Sequence, residues 1–202
     1  MFSVSNQRET ILILSISKKF STGFENLYQW GKSRTSISSF TLDLLKAQDM
    51  ATTEDIFYHL ERSNRKLSFL LKKDIIYIVG SETVTQSQLL EAVLEETTEK
   101  FTDFYKQKLN SYEGGFVSEY REFDMIFQKI LDTLNDIVKV VMAPCKACGS
   151  TTKVLVKKSI FEKPHKSYPI PLVFCHKGHA LLIYLDQQYQ VRASEVVDMN
   201  VL

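Results

Sequence analysis

DIFYHLERSNRKLSFLLKKDIIYIVGSE, from Asp55 to Glu82, is the stretch on which the fold turns. Three apolar runs of strand length are separated by two short polar breaks. Ser63-Asn64 is a hairpin turn by composition, and Lys72-Lys73-Asp74 is a second tight turn. The runs between them predict an antiparallel meander of three strands. Working upstream, TILILSIS (Thr10 to Ser17) reads as a buried strand, and FENLYQWGKS (Phe24 to Ser33) as another that Gly31 ends. Between these strands and the meander, Ile37, Phe40, Leu44 and Ala47 recur at helical spacing, so a helix is predicted from about Ser36.

Downstream the period changes. Leu90, Val93, Leu94, Thr97, Phe101, Phe104, Tyr105, Leu109 and Tyr112 form one stripe of a long amphipathic helix with a charged outer face. The connection before it, VGSETVTQ, offers Ser or Thr caps. Glu113-Gly114-Gly115 breaks this helix, and a second is predicted from about Ser118, its N-cap. Tyr120, Phe123, Phe127, Ile130, Leu131, Leu134 and Ile137 face inward on it, with acidic residues crowding the first turn. Two adjacent helices after a meander must bury their stripes on one sheet face, which makes the class α+β.

This order of elements resembles the longin family: longin-type SNAREs, the sigma chains of clathrin adaptors, and the longin domain of the signal recognition particle receptor. The matching part is the meander ending in IIYIVG, followed by a helix with Phe101, Phe104 and Tyr105 in an F-x-x-F/Y motif. The resemblance spans about Arg8 to Val138. It implies a longin-like (profilin-like) antiparallel five-stranded sheet with helices over residues 1–140.

Residues 141–202 carry a different signal. The first 139 residues hold 17 Lys and Arg against 20 Asp and Glu, while the remainder hold 8 against 4. The three cysteines all lie in that basic remainder. Cys145 and Cys148 have C-x-x-C spacing beside Gly149, and Cys175 begins CHKGH. A redox role would need the C-x-x-C at the start of a helix; here it runs into a β-branched strand. The alternative is tetrahedral metal ligation by four soft donors. Cys145, Cys148, Cys175 and His179 are the expected ligands of one structural Zn2+, with His176 and His165 as alternatives for the fourth place. His59 reads as a packed or surface histidine. CKACGS with FCHKGHALLIYLDQQYQVR resembles zinc ribbons, and the resemblance implies a small β module on a three-stranded sheet. Its hairpin would turn at Asp186 to Gln188.

No phosphate-cradling loop, G-x-S-x-G, H-E-x-x-H or dinucleotide fingerprint occurs. Glu95-Glu96 and the pair Asp132 and Asp136 read as solvated carboxylates. No catalytic or cofactor-binding residue is therefore expected, and the chain reads as a non-enzymatic interaction platform. Similarity to longin domains implies a protein partner: a small GTPase, a trafficking component, or another longin-like chain, with a homodimer among the options. The surfaces singled out are the helix at Ser36 to Met50 and any unpaired sheet edge. The alternative is nucleic-acid binding through the basic ribbon, where Lys153, Lys157, Lys158, Lys163 and Lys166 gather near Phe161, Tyr168 and Tyr184. Against it, Arg192 is the one arginine in that region. Membrane contact is expected to be peripheral at most, through the lysines. MFSVSNQRET lacks a basic segment followed by an apolar core, and a cytoplasmic location is expected.

Overall fold

The computed structural model describes residues 7–114, 120–162 and 168–197, less the side chains at 34–37, 176 and 179. These described residues divide into two compact units, one up to Ile137 and one from Val138.

In the first unit, β1 (Ile11–Phe20) and β2 (Gly23–Gly31) form a hairpin, followed by α1 (Arg34–Met50). The meander is β3 (Phe57–Arg62), β4 (Arg65–Lys72) and β5 (Ile75–Ser81). Its two-residue loops are Ser63-Asn64 and Lys73-Asp74, with Lys73 at φ 55°. All five strands form one antiparallel sheet in the order β2-β1-β5-β4-β3. Strand alternation then decides the layers. Ile13, Leu67, Phe69, Leu71, Ile76 and Ile78 point to one face and meet Phe40, Leu44 and Ala47 of α1. A Cβ on Gly80 would stand 2.6 Å from Ile13 Cγ1 and 2.8 Å from Phe40, so only glycine lets α1 approach this closely.

The other face takes α2 (Ser87–Phe104), α3 (Lys106–Ser111) and α4 (Phe123–Asp132), with α5 (Leu134–Ile137) following. Phe101 is the hub. Its ring lies 5.0–6.3 Å from those of Tyr28, Tyr77, Tyr105, Tyr120 and Phe123. A five-stranded antiparallel sheet with these flanking helices is consistent with a generic longin-like topology.

Several helical expectations are corrected. The long helix breaks at Tyr105 (φ −108°, ψ 16°), whose buried ring joins the Phe101 cluster and whose hydroxyl donates to Tyr120 O at 3.2 Å. Phe104 is consequently 54% exposed, not part of the inward stripe. Lys18 ties down the far end of α3, donating to Leu109 O at 3.0 Å and Tyr112 O at 3.4 Å. A cation there is also favourable against unsatisfied terminal carbonyls. The N-cap of α2 is Gln86, without a side-chain cap bond. Thr85 instead turns its hydroxyl to Thr10, at 2.8 Å. The expected N-cap Ser118 lies outside the described residues; α4 begins at Phe123, with Asp124 in its first turn.

The second unit contains β6 (Val138–Pro144), β7 (Thr151–Lys157), α6 (Ser159–Glu162), β8 (Ile170–His176), β9 (His179–Leu185) and β10 (Val191–Val197). These strands make a two-stranded sheet, β6-β7, and a three-stranded sheet, β10-β9-β8. Val141, Val154 and Val156 from one sheet pack with Phe174, Leu181, Ile183 and Leu185 from the other. Residues 138–144, where the last helix could have continued, are strand: Val141 and Ala143 alternate inward with exposed Met142 and Pro144.

Candidate functional site

Each cysteine motif sits in a hairpin connection of the second unit. Residues 145–150 join β6 to β7, closed by a hydrogen bond from Cys145 N to Ser150 O at 2.8 Å, with Gly149 at φ 66°. Lys177 (φ 48°) and Gly178 (φ 77°) form the two-residue loop joining β8 to β9, as a tight hairpin of this twist requires. None of the three cysteines forms a disulfide. Cys145 is 2% exposed and belongs to the apolar core, whereas Cys148 and Cys175 are exposed. Cys148 Sγ lies 2.9 Å from Ser150 Oγ. The imidazoles of His176 and His179 and the whole of His165 lie outside the described residues.

Among the described residues, no group of three or more His, Cys, Asp and Glu side chains is placed to hold a metal ion. The expected Zn2+ on Cys145, Cys148, Cys175 and His179 is corrected accordingly. With it falls the zinc-ribbon half of the expected fold, and the unit is better described by the shared aliphatic core of its two sheets. The interaction platform with a structural zinc ribbon, and the alternative of a basic zinc ribbon on nucleic acid, fall with that module. The basic run is also not one solvated face, since Lys157 is buried at 7% while Lys153 is exposed. Lys163 and Lys166 lie outside the described residues. Phe161 packs against Tyr189 at 4.4 Å and stacks with Tyr168 at 6.4 Å.

Within the first unit, three distant residues line up as a relay. His59 Nδ1 is 2.8 Å from Ser68 Oγ, and its Nε2 is 3.1 Å from Glu91 Oε1. The order hydroxyl, imidazole, carboxylate has the form of an activated nucleophile. Ser68, however, is completely buried in β4, so no substrate atom has an approach to its hydroxyl. The trio instead ties β3 and β4 to α2. Sequence reasoning placed His59 without partners, because 59, 68 and 91 carry no local spacing signal.

A second missed cluster does have a signal. Asp43 stands among the inward positions of α1 and is completely buried. Its carboxylate oxygens lie 2.8 Å from Arg62 Nε and 2.7 Å from Arg65 Nε, close ion pairs that are not aligned as hydrogen bonds. An aspartate inside an apolar stripe demands a cation, and two arginines bracketing Ser63-Asn64 were there to be matched. Arg65 also donates to Ser39 O and lies 5.3 Å over the Phe40 ring.

A cleft of about 320 Å3 opens between Arg8, Trp30, Lys32 and Gln128. Its cations are paired, Arg8 with Asp132 and Lys32 with Glu9 at 2.5 Å. The hydrogen bond and charge of Lys32 hold the Glu9 carboxyl below the usual range. In the aromatic core, burial pushes the Tyr77 and Tyr105 phenols up to about 12. Burial, then the bond to Asp124, raises Tyr28 further, and its hydroxyl donates to Asp124 Oδ1 at 2.7 Å. These phenols are buried and held by hydrogen bonds, not acids poised to titrate.

What remains open is an edge. β3 ends the strand order, so among the described residues no strand of the sheet lies beyond it. Arg62 and Arg65 flank the two-residue loop as a hydrogen-bonded pair, so Tyr58, Leu60 and Arg62 bond to β4. The backbone groups of His59 and Glu61 therefore point away from the sheet. Ile56, just before the strand, is 48% exposed, and Tyr58 and Leu60 are half-buried. On α1, Leu42 (74% exposed) and Leu45 (55%) stand on the side away from the sheet.

No protein-family model matches the chain, and no curated protein matches it.

Proposed function

We propose that the first unit is a protein-association domain that works through binding, without turnover, and that its contact is the β3 edge. The observation that carries this reading is the position of β3 at the end of the sheet, with apolar side chains beside a line of outward backbone groups. Such an edge is a template for pairing with another chain unless something blocks it. Strand addition supplies backbone hydrogen bonds, and alternate side chains supply selectivity. β3 has no proline, and its one bulge-free ladder to β4 keeps it straight. The outer leucines of α1 widen the apolar area that a partner would cover. Three cysteines without a disulfide fit a reducing compartment, and we propose a cytoplasmic location. Among the described residues, no helix is long and apolar enough to cross a membrane.

The reading is tested with the full chain carrying Glu61→Pro. Proline at 61 removes an N–H that points away from β4 and leaves the β3–β4 ladder intact. Affinity capture should recover a protein with the wild-type chain and lose it with the variant, both having the same circular dichroism. Equal capture by both would show that the edge is not the contact.

A further inference from the structure

Resting on that reading, we infer that the occupant of the β3 edge is a second copy of this chain, paired antiparallel about Leu60. The argument comes from the strand itself, Phe57-Tyr58-His59-Leu60-Glu61-Arg62. A two-fold axis makes an interface self-complementary, so residue i faces residue j and j faces i. Outward backbone groups must also meet outward groups, so odd positions face odd positions.

Centring the pair on Leu60 satisfies both conditions and matches side chains on both faces. His59 stands opposite Glu61 of the second copy, and Glu61 opposite its His59. On the other face Tyr58 stands opposite Arg62, an aromatic–guanidinium pair, and Leu60 meets Leu60 on the axis. Centring on His59 would put Phe57 opposite Glu61 and set two histidines face to face. Centring on Tyr58 would bring Asp55 opposite Glu61. The first register alone among these sets an imidazole opposite a carboxylate at both symmetric places and leucine against leucine on the axis.

The present partners of these side chains permit the pairing. Glu61 is 58% exposed while it contacts Lys66 at 3.0 Å, and Arg62 is 46% exposed while it contacts Asp43. His59 is 35% exposed beyond its contacts with Ser68 and Glu91. The opposite edge, β2, is unsuited to the same pairing. Glu25 is its only charged residue, so a copy of β2 offers it no opposite charge. Leu27 is also an extra, unmatched residue of β2, opposite the step from Ile16 to Ser17, and this bulge bends that edge.

One strand per copy is a small interface, below about 1,200 Å2 in total, so the dimer is concentration-dependent. Sedimentation equilibrium of the full chain should show the average mass rising with concentration from 23.3 kDa toward twice that value. Glu61→Lys sets a lysine opposite His59 at two symmetric places and should weaken the dimer about tenfold. Glu61→Pro should abolish it. A chain that stays at 23.3 kDa at every concentration overturns the inference. So does a dimer that both variants leave unchanged. A monomeric chain whose capture of another protein still depends on Glu61→Pro would overturn the second copy as occupant, while the association reading stood. Loss of both would overturn the two together.

Discussion

Phe101 and Cys145 lie at the same depth, 0% and 2% exposed, in cores of different make. Phe101 is surrounded by aromatic rings drawn from both strands and helices, on a sheet that is covered on two faces. Cys145 sits among valines, leucines and isoleucines where two small sheets meet, as one small apolar member of the set. The first core depends on a few large side chains that cannot be replaced by their neighbours. The second is spread over many aliphatic contacts, and its cysteine contributes through packing. Burial alone would not separate these roles; the company each residue keeps does.

The largest effect should come from the aromatic hub. Phe101→Ala leaves a cavity that five surrounding rings cannot fill, and should cost about 3–5 kcal/mol by denaturant unfolding. A loss similar to that of an exposed site would mean that the cluster is not the centre of the unit. Asp43→Ala comes next. It removes the shared partner of Arg62 and Arg65, and a cost of about 3 kcal/mol is expected, the low end for a broken buried pair because Arg62 is half in solvent. Asp43→Ala together with Arg65→Met should recover part of that loss, since the buried cation goes with its partner.

The cysteines sharpen the comparison most directly. Cys145→Ser places a hydroxyl in an aliphatic core and should cost about 1–3 kcal/mol, whereas Cys145→Val should be tolerated. Cys148→Ser, on the exposed loop, should change stability by less than about 0.5 kcal/mol. Equal and severe losses from Cys145→Val and Cys148→Ser would mean that the thiols act as a set, and would reinstate the ligand role. The smallest effect concerns Asp186. Burial opposes ionisation there, but the N–H groups of Gln190 and Gln188 and the Arg192 side chain outweigh it and depress the carboxyl. A depressed carboxyl stabilises the fold above its unfolded value of 3.8 and loses that contribution as pH falls through the folded value. The Asp186 bonds should therefore add stability at neutral pH and none in strong acid, and Asp186→Asn should flatten the acid side of the profile. An unchanged profile would remove Asp186 from the account.

The sheet was legible because strand alternation and two short polar turns are local signals that burial enforces. Ile76 and Ile78 go to one face and Tyr77 and Val79 to the other for no reason beyond period two. Helix ends were less legible. Whether Phe104 or Tyr105 turns inward depends on the ring of Tyr120, a tertiary contact with no trace in the helix's own period. The C-x-x-C and CHKGH spacings report what donors could converge, not that they do, and a thiol is also a good small core residue. Asp43 was readable in principle as a charge out of place. His59, Ser68 and Glu91 were not, since only the folded register brings β3, β4 and α2 together.

Amide hydrogen exchange along β3 tests the central claim, that this molecule works through its open sheet edge. The amides of His59 and Glu61 point away from β4, while those of Tyr58, Leu60 and Arg62 are bonded to it. In a dilute solution of the chain, the first pair should exchange fast and the others slowly. As concentration rises, the His59 and Glu61 amides should become protected, while β2 keeps its rates. Fast exchange at His59 and Glu61 that is independent of concentration and of any captured protein would contradict it.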